Sequence, residues 1–480
     1  MDGLECSEVM LSEIPKWNPI YRLDAEFFDK KAIKIESDIR SREYFSINAD
    51  EIVSGPFGSS LKSSSYLEKG DIPFVRIENI RGGFFVSHNN MIFISNQDNE
   101  RIKNSELHVD DIILSKVGNT IGFFSRVDDS IEPCNISENN IGIKTSEYSK
   151  PERMYMLVYL NTKYAQKLVH RRTSGNAQPK LNVGDMALIP IPKFKEYLYK
   201  AMQHLLELSE TLVKEAEQKY KDASERLAGA IGLNLISASS LSIKSLSQSF
   251  YLSGRFDAEY YQPKYDVLFE TLATVKTKKL GGKHGIVSIT KSIEPGSEAY
   301  TEDGIPFVRV SDISKFGISE PDIKLHSDII PNPEVLFPQK DTILLSKDGS
   351  VGIAYKVEAT MPIITSGALL HLTVRDKTEV LPDYLTLVLN SPVVQLQAER
   401  DSNGAIIQHW KPSEIENVII PILDMDTQKE IAVRVQESFM LRKQSKQLLE
   451  YAKQAVEMAI EQGEDAAIEW LKENAELLEE

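Results

Sequence analysis

Between residues 153 and 184 the chain carries Arg153, Lys163, Lys167, Arg171, Arg172 and Lys180, with His170 among them, and no Asp or Glu. Cations gathered in this way could neutralise a row of phosphates, as on a nucleic-acid-binding surface. A single basic run can equally be a solvated face, and spacing alone leaves both readings open. Other residues able to do chemistry are sparse. Cys134 follows Pro133 in "EPCNIS", but no Gly-rich cofactor loop precedes it, which argues against a methyltransferase nucleophile. "LGGKHG" at 280–285 lacks the spacing and the Ser or Thr of a phosphate cradle. The eight His are scattered, with no H-E-x-x-H, no CxxC and no G-x-S-x-G elbow, so neither a metal site nor a hydrolase nucleophile is expected. These absences favour binding over catalysis.

The net charge of −16 argues at first against a phosphate-rich partner, but the charge is segregated. Residues 461–480 hold eight acids against the single base Lys472 and account for −7 of the total. At 480 residues the chain is long enough for three or four domains. Its only cysteines are Cys6 and Cys134, no secretory signal is legible, and no run of 18 apolar residues occurs, so a soluble, cytoplasmic protein without disulfides is the expectation.

The elements that must position any site are written twice. "PFVR" at 73–76 returns at 306–309, and "LDAEFF" around Asp24 returns as "FDAEYY" around Asp257, both after 233 residues. "ILSKVGNTIGFFSRV" from Ile113 returns as "LLSKDGSVGIAYKV" from Leu344, and Pro190 of "ALIPIP" matches Pro421 of "VIIPIL", both after 231. Repeats in one order at offsets of 231–233 residues are a tandem duplication of a domain, because solenoid periods are far shorter.

Within each copy, "DIPFVRIENI", "MIFIS", "DDIILSKV" and "NNIGIKT" and their counterparts have the composition of half-buried strands. "ERMYMLVYLNTKYAQKLVHRR" predicts one helix. Its counterpart "LPDYLTLVLNSPVVQLQAERD" predicts two, broken at Asn390-Ser391-Pro392. A proline-free stretch from Phe194 to Leu233 places Leu198, Met202, Leu205, Ser209, Leu212, Ala216, Tyr220, Ala223, Leu227 and Ala230 three or four apart, a heptad seam with one stutter. A second arm keeps Ile431, Val435, Phe439, Leu449, Ala452, Val456 and Ala459, with Asp426 as its expected cap. Two arms at homologous places predict an antiparallel pair. The first would be about 54 Å long, somewhat more than one turn of B-DNA. The tail after Gly463 reads as a short amphipathic helix that docks on the arms or on a partner.

In this order, twice, the motifs "GPFGSSLKSSSYLEKGDIPFVRIENI", "LSKVGNTIGFFSRV" and "TSGNAQPKLNVGDMALIPIP", then "DGIPFVRVSDI", "LSKDGSVGIAYKV" and "SNGAIIQHWKPSEIENVIIPIL", resemble the specificity (S, or HsdS) subunits of Type I restriction–modification systems over nearly the whole chain. The resemblance implies an α+β fold of two tandem homologous target recognition domains, each a mixed sheet with short helices, separated by long helices pairing as an antiparallel coiled coil. The implied boundaries are 1–192 for the first recognition domain, 193–233 for the first arm, 234–423 for the second domain, 424–462 for the second arm and 463–480 for the acidic helix. It further implies a non-catalytic, DNA-binding protein in which each domain reads half of a split, asymmetric double-stranded target. Two copies of a DNA adenine methyltransferase (modification) subunit and motor-nuclease (restriction) subunits would be its partners. S-adenosylmethionine, ATP and Mg would bind on those partners and no cofactor on this chain.

Carried over by position, the resemblance assigns DNA contacts to Lys62 and Arg76, to Lys116 and Asn119 of the first hairpin, and to Arg171, Arg172, Asn176, Gln178 and Lys180 along the first loop. The second copy offers Arg309, Lys347, Ser350, Asn403, Gln408, His409 and Lys411. Asn and Gln can pair bidentately with adenine, while Lys and Arg suit guanine or phosphate. An internal ion pair with Glu78 or Asp312 is an equal expectation for Arg76 and Arg309, and a plain tight turn for the hairpins. The second copy lacks the basic run, so the first is expected to supply more of the salt-dependent affinity. A related subunit serving another defence system, a solitary enzyme and a coiled-coil scaffold are the competing readings.

Overall fold

The computed structural model describes residues 8–475, apart from 13, 16, 17, 19, 20, 59, 81, 82, 176–178, 234–240, 252, 253, 302, 327, 329 and 403–407, and at Asn119 the backbone alone. The helices that position the rest are, in chain order, α1 (Lys30–Arg40), α2 (Lys150–Leu160), α3 (Lys163–Arg172), α4 (Glu196–Ile231), α5 (Pro263–Leu272), α6 (Pro382–Asn390), α7 (Pro392–Asp401), α8 (Met425–Gln462) and α9 (Glu464–Asn474). The chain forms two compact units, Met1–Leu212 with Lys443–Glu480, and Val213–Arg442, so α4 and α8 each contribute to both.

In the first unit a five-stranded sheet runs 52–54, 140–143, 112–115, 124–126, 84–85, beside a three-stranded sheet of 92–94, 72–75 and 135–136. The first "PFVR" strand pairs parallel with the short strand Asn135–Ile136, placing Phe74 opposite Asn135. The second unit repeats this. Its "PFVR" strand pairs parallel with Ile364–Thr365, placing Phe307 opposite Ile364. The strands 112–115 and 343–346 are buried at every position, as continuous apolar runs between two layers should be.

The expected single helix before the first loop is two. Asn161 ends α2 and Thr162 caps α3, its hydroxyl accepting from the Ala165 amide. Asn161 Nδ2 donates to Phe124 O at 3.1 Å and Leu157 O at 2.9 Å, tying the break to the sheet. Asn390 does the same in the second unit, to Ala354 O and Thr386 O. The break is therefore common to both copies, and the first lacked only the proline that announces it.

Helix α4 spans the predicted arm, and its seam residues Leu198, Met202, Leu205, Ser209, Ala216, Ala223 and Leu227 are all buried. In the first unit Ser209 faces Ser445 of α8, and further back the Lys195 amide and the Tyr197 hydroxyl meet Glu464 and Asp465 beyond α8, so the chains run antiparallel. In the second unit Ala216 O accepts from Ser438 Oγ, Lys219 pairs with Glu437 and Arg226 with Glu430, again antiparallel. The cap of α8 is Asp424 rather than the expected Asp426, because Asp424 Oδ1 accepts from the Thr427 amide at 2.9 Å. The acidic tail docks on the first unit: Ala467, Leu471 and Ala475 are buried in the core that holds Leu198, Met202 and Val456. Glu464 and Asp465 lie where their charge favours the N-terminus of α4.

Candidate nucleic-acid interface

In each unit a tight turn after the buried central strand is zipped to the loop that follows the helix pair. In the first, Gly118 N donates to Pro179 O at 3.0 Å and Leu181 N to Lys116 O at 2.9 Å, while Ser174 and Lys180 exchange both of their backbone bonds. In the second, Gly349 N donates to Gln408 O at 2.9 Å and Trp410 N to Lys347 O at 2.8 Å. Gly118 and Gly349 have φ of 67° and 71°, a conformation that strains any residue with a Cβ, so the turn itself asks for glycine. The same two cross-links at matching positions give each copy one surface edge made of a turn and a loop.

That edge carries different charge in the two copies. Lys116 Nζ donates to Ser54 Oγ at 2.5 Å. Burial, with Lys180 adding its repulsion and Glu138 opposing, holds the Lys116 ammonium below the usual lysine range. Lys180 is exposed and makes no ion pair among the described residues. Lys62 is exposed where it precedes the turn Ser63–Ser65. In the second copy Lys347 pairs with Asp348, and Asp348 Oδ1 also meets His409 Nδ1 at 2.8 Å. Burial pushes the Asp348 carboxyl up, but Lys347 and His409 outweigh it and hold the group below the ordinary carboxylate range. Gln408 and Ser350 are exposed, the Ser350 carbonyl accepting from Ser346 Oγ, and Lys411 leans on Glu414 at 3.5 Å. Asn176, Gln178 and Asn403 lie outside the described residues.

Four of the expected contacts have partners within the chain. Arg172 has no exposed side-chain surface and donates to Glu36 Oε1 at 2.7 Å. Arg171, 8% exposed, pairs with Glu36 Oε2, donates from Nε to Phe27 O at 2.6 Å and covers the Phe27 ring. Both are structural, and the reading of them as DNA contacts is corrected by their burial. Arg76 pairs with Glu78 and donates to Asn90 O at 2.9 Å; Arg309 lies 3.8 Å from Asp312. The internal ion pairs expected as alternatives for these two are therefore present.

The rest of the acid-free run is neutralised from a distance. Arg153 faces Asp110 at 3.7 Å, Lys163 meets Glu457 and Glu461, and Lys167 reaches Asp29 at 3.3 Å. Burial, with Lys167 adding to it, pushes the His170 imidazole down. Of the run, Lys180 alone stands on the turn-and-loop edge. Two residues outside the expected set bond the helix ends that precede these loops, Arg22 to Thr173 O at 2.7 Å and Arg255 to Arg400 O at 3.5 Å; they precede the two "DAE" motifs, and the repeat of those motifs is the signal available in the sequence.

Among the described residues no group of His, Cys, Asp and Glu could hold a metal ion, and no helix is long and apolar enough to cross a membrane. The class of protein defined here is a tandem duplication of one α+β module, each copy presenting a glycine turn zipped to a loop, with two long helices shared between the copies. Among solved structures the chain is similar to the S subunit of a Type I restriction–modification system from M. genitalium, at 14% identity over 87% of this chain and 95% of that one, with a TM-score of 0.38. It is also similar to the HsdS subunit from Thermoanaerobacter tengcongensis, at 14% identity over 88% and 97% with a TM-score of 0.27. A chain from work on complex assembly and conformational transition of the type I R-M system gives 14%, 88%, 98% and 0.28 in the same terms. No family model and no curated protein matches the chain.

Proposed function

We propose that this chain is the DNA sequence-specificity subunit of a Type I restriction–modification complex. Each copy reads one half of a split, asymmetric double-stranded target, and α4 and α8 set the spacing between the halves. The observation that carries the reading is the turn-and-loop edge built twice, from turns 231 positions apart and loops 229 positions apart, because an asymmetric target needs two readers of one design with different side chains. Lys62, Lys116 and Lys180 in the first copy, and Lys347, Ser350, Gln408, His409 and Lys411 in the second, are the proposed contacts. Asn119, Asn176, Gln178 and Asn403 stay in the set on sequence alone.

In this reading the chain catalyses nothing. Two modification subunits bring S-adenosylmethionine and methylate adenine, and motor-nuclease subunits bring ATP and Mg. The test is to co-express the chain with the modification subunit of its own operon and map methylated adenines across the host DNA. A bipartite motif with one fixed spacer is expected. A complex that forms without methylating would move the protein to another effector, and the absence of any complex would favour a scaffold.

A further inference from the structure

The two "DAE" motifs do the same thing in both copies, and neither lies on the turn-and-loop edge. Arg22 grips Asp24 through two bonds, Nε to Oδ2 at 2.8 Å and Nη2 to Oδ1 at 2.7 Å, and lies over the Phe27 ring. Its remaining nitrogen, Nη1, donates to Thr173 O at 2.7 Å and to Arg171 O at 3.4 Å. Those carbonyls end α3, immediately before Ser174 opens the first loop. Arg255 repeats the arrangement. It grips Asp257 through Nε and Nη2, lies over Tyr260, and Nη1 reaches Arg400 O at 3.5 Å in the last turn of α7, just before Ser402.

A helix C-terminus leaves carbonyls unpaired and favours a cation there. The usual solution is a local glycine or a side chain from the same turn. Here the cation comes from 149 to 151 residues away in the first copy and 145 in the second. A bidentate carboxylate fixes the plane of each guanidinium, so its third nitrogen has one direction in which to donate. The direction in which the chain leaves the helix, and hence the base of the loop, follows from the arginine.

We propose that Arg22 and Arg255 are positioning residues for base discrimination, each holding the loop of its own copy in register with the glycine turn. The proposal rests on the DNA-reading function above. It touches no DNA contact itself, and it predicts effects that separate by half-site. The first copy, with the shorter bond to Thr173 O, depends on its clasp more.

The experiment uses the full chain in complex with its modification subunit. A preferred duplex is first selected from a random pool with the unaltered complex, and affinity is then measured for that duplex and for versions with one half or the other scrambled. Arg22→Ala is expected to reduce discrimination about tenfold at one half-site only, and Arg255→Ala at the other half-site only. Arg22→Lys, which keeps one donor, is expected to recover part of the loss. Independently of DNA, the amides of Gly118, Ser174, Lys180 and Leu181 should exchange faster in Arg22→Ala while those of Gly349 and Trp410 do not. Equal losses at both half-sites, or unchanged discrimination and exchange, would overturn the positioning role while leaving the DNA-reading function standing. Selection of no duplex at all by the unaltered complex would overturn that function, and the role with it.

Discussion

Ser209 of α4 and Ser445 of α8 meet hydroxyl to hydroxyl at 2.7 Å, both buried in the seam of the first unit. In a seam otherwise filled by apolar residues such as Leu205, Met202, Ala452 and Val456 this pair has a polar requirement that only one register satisfies. Ser209→Ala leaves the Ser445 hydroxyl without its partner in an apolar setting and should cost about 1–3 kcal/mol. The double variant should cost less than the sum of the single ones, with a coupling of about 0.5 kcal/mol or more. Denaturant unfolding of the four proteins of the cycle reads this directly, and strict additivity would remove the pair as a register device.

Glu36 is the hub of a buried network, accepting from Arg40 at 2.8 Å and from both Arg171 and Arg172. Glu36→Ala would leave three guanidinium groups crowded together without their anion. A loss of about 3–5 kcal/mol in stability is expected, of the size seen when one partner of a buried pair is removed. Thermal unfolding checks it. Arg172→Ala should be similarly harmful without altering the salt dependence of DNA binding, because Arg172 does not reach the surface.

The charge difference between the two edges has its own consequence. Each phosphate contact contributes roughly 0.9 to the slope of log affinity against log salt. Removing Lys116 and Lys180 together should flatten the slope by up to about 2, while Lys347→Ala should flatten it by less than 1, since Asp348 already neutralises Lys347. Binding titrations of the full chain from low to high salt separate these, and equal slopes for the two sets would refute the asymmetry.

His371, in the central sheet of the second unit, bonds Thr365 Oγ1 at 2.8 Å, and burial pushes its imidazole down to about 4. An unfolded His titrates near 6.5, so between those values the unfolded chain binds a proton that the folded chain does not. Stability is therefore full above about pH 6.5 and falls as the pH drops toward 4, by up to about 3 kcal/mol. His371→Gln should flatten the pH dependence of unfolding in that window and leave it unchanged above pH 7.

Much of the fold is legible in the residues because it rests on local rules. Strand composition and the i, i+3, i+4 pattern of the first arm depend on neighbours in sequence, and the repeat at 231–233 residues multiplies each weak signal by two. The second arm is less legible. Its pattern passes from Val435 to Leu449 through Ser438 and Ser445, which are polar residues buried by pairing rather than by hydropathy. Tertiary structure alone decided the fate of the basic run. Composition registers that no acid stands between 153 and 184, but Glu36, Asp29, Glu457 and Glu461 are brought there by folding from far along the chain. Once they arrive, a stretch that reads as a phosphate-binding surface is largely paired within the fold, and Arg171 and Arg172 are buried. Electrostatics acts through space, over a few ångströms, and the sequence records distance only along the chain.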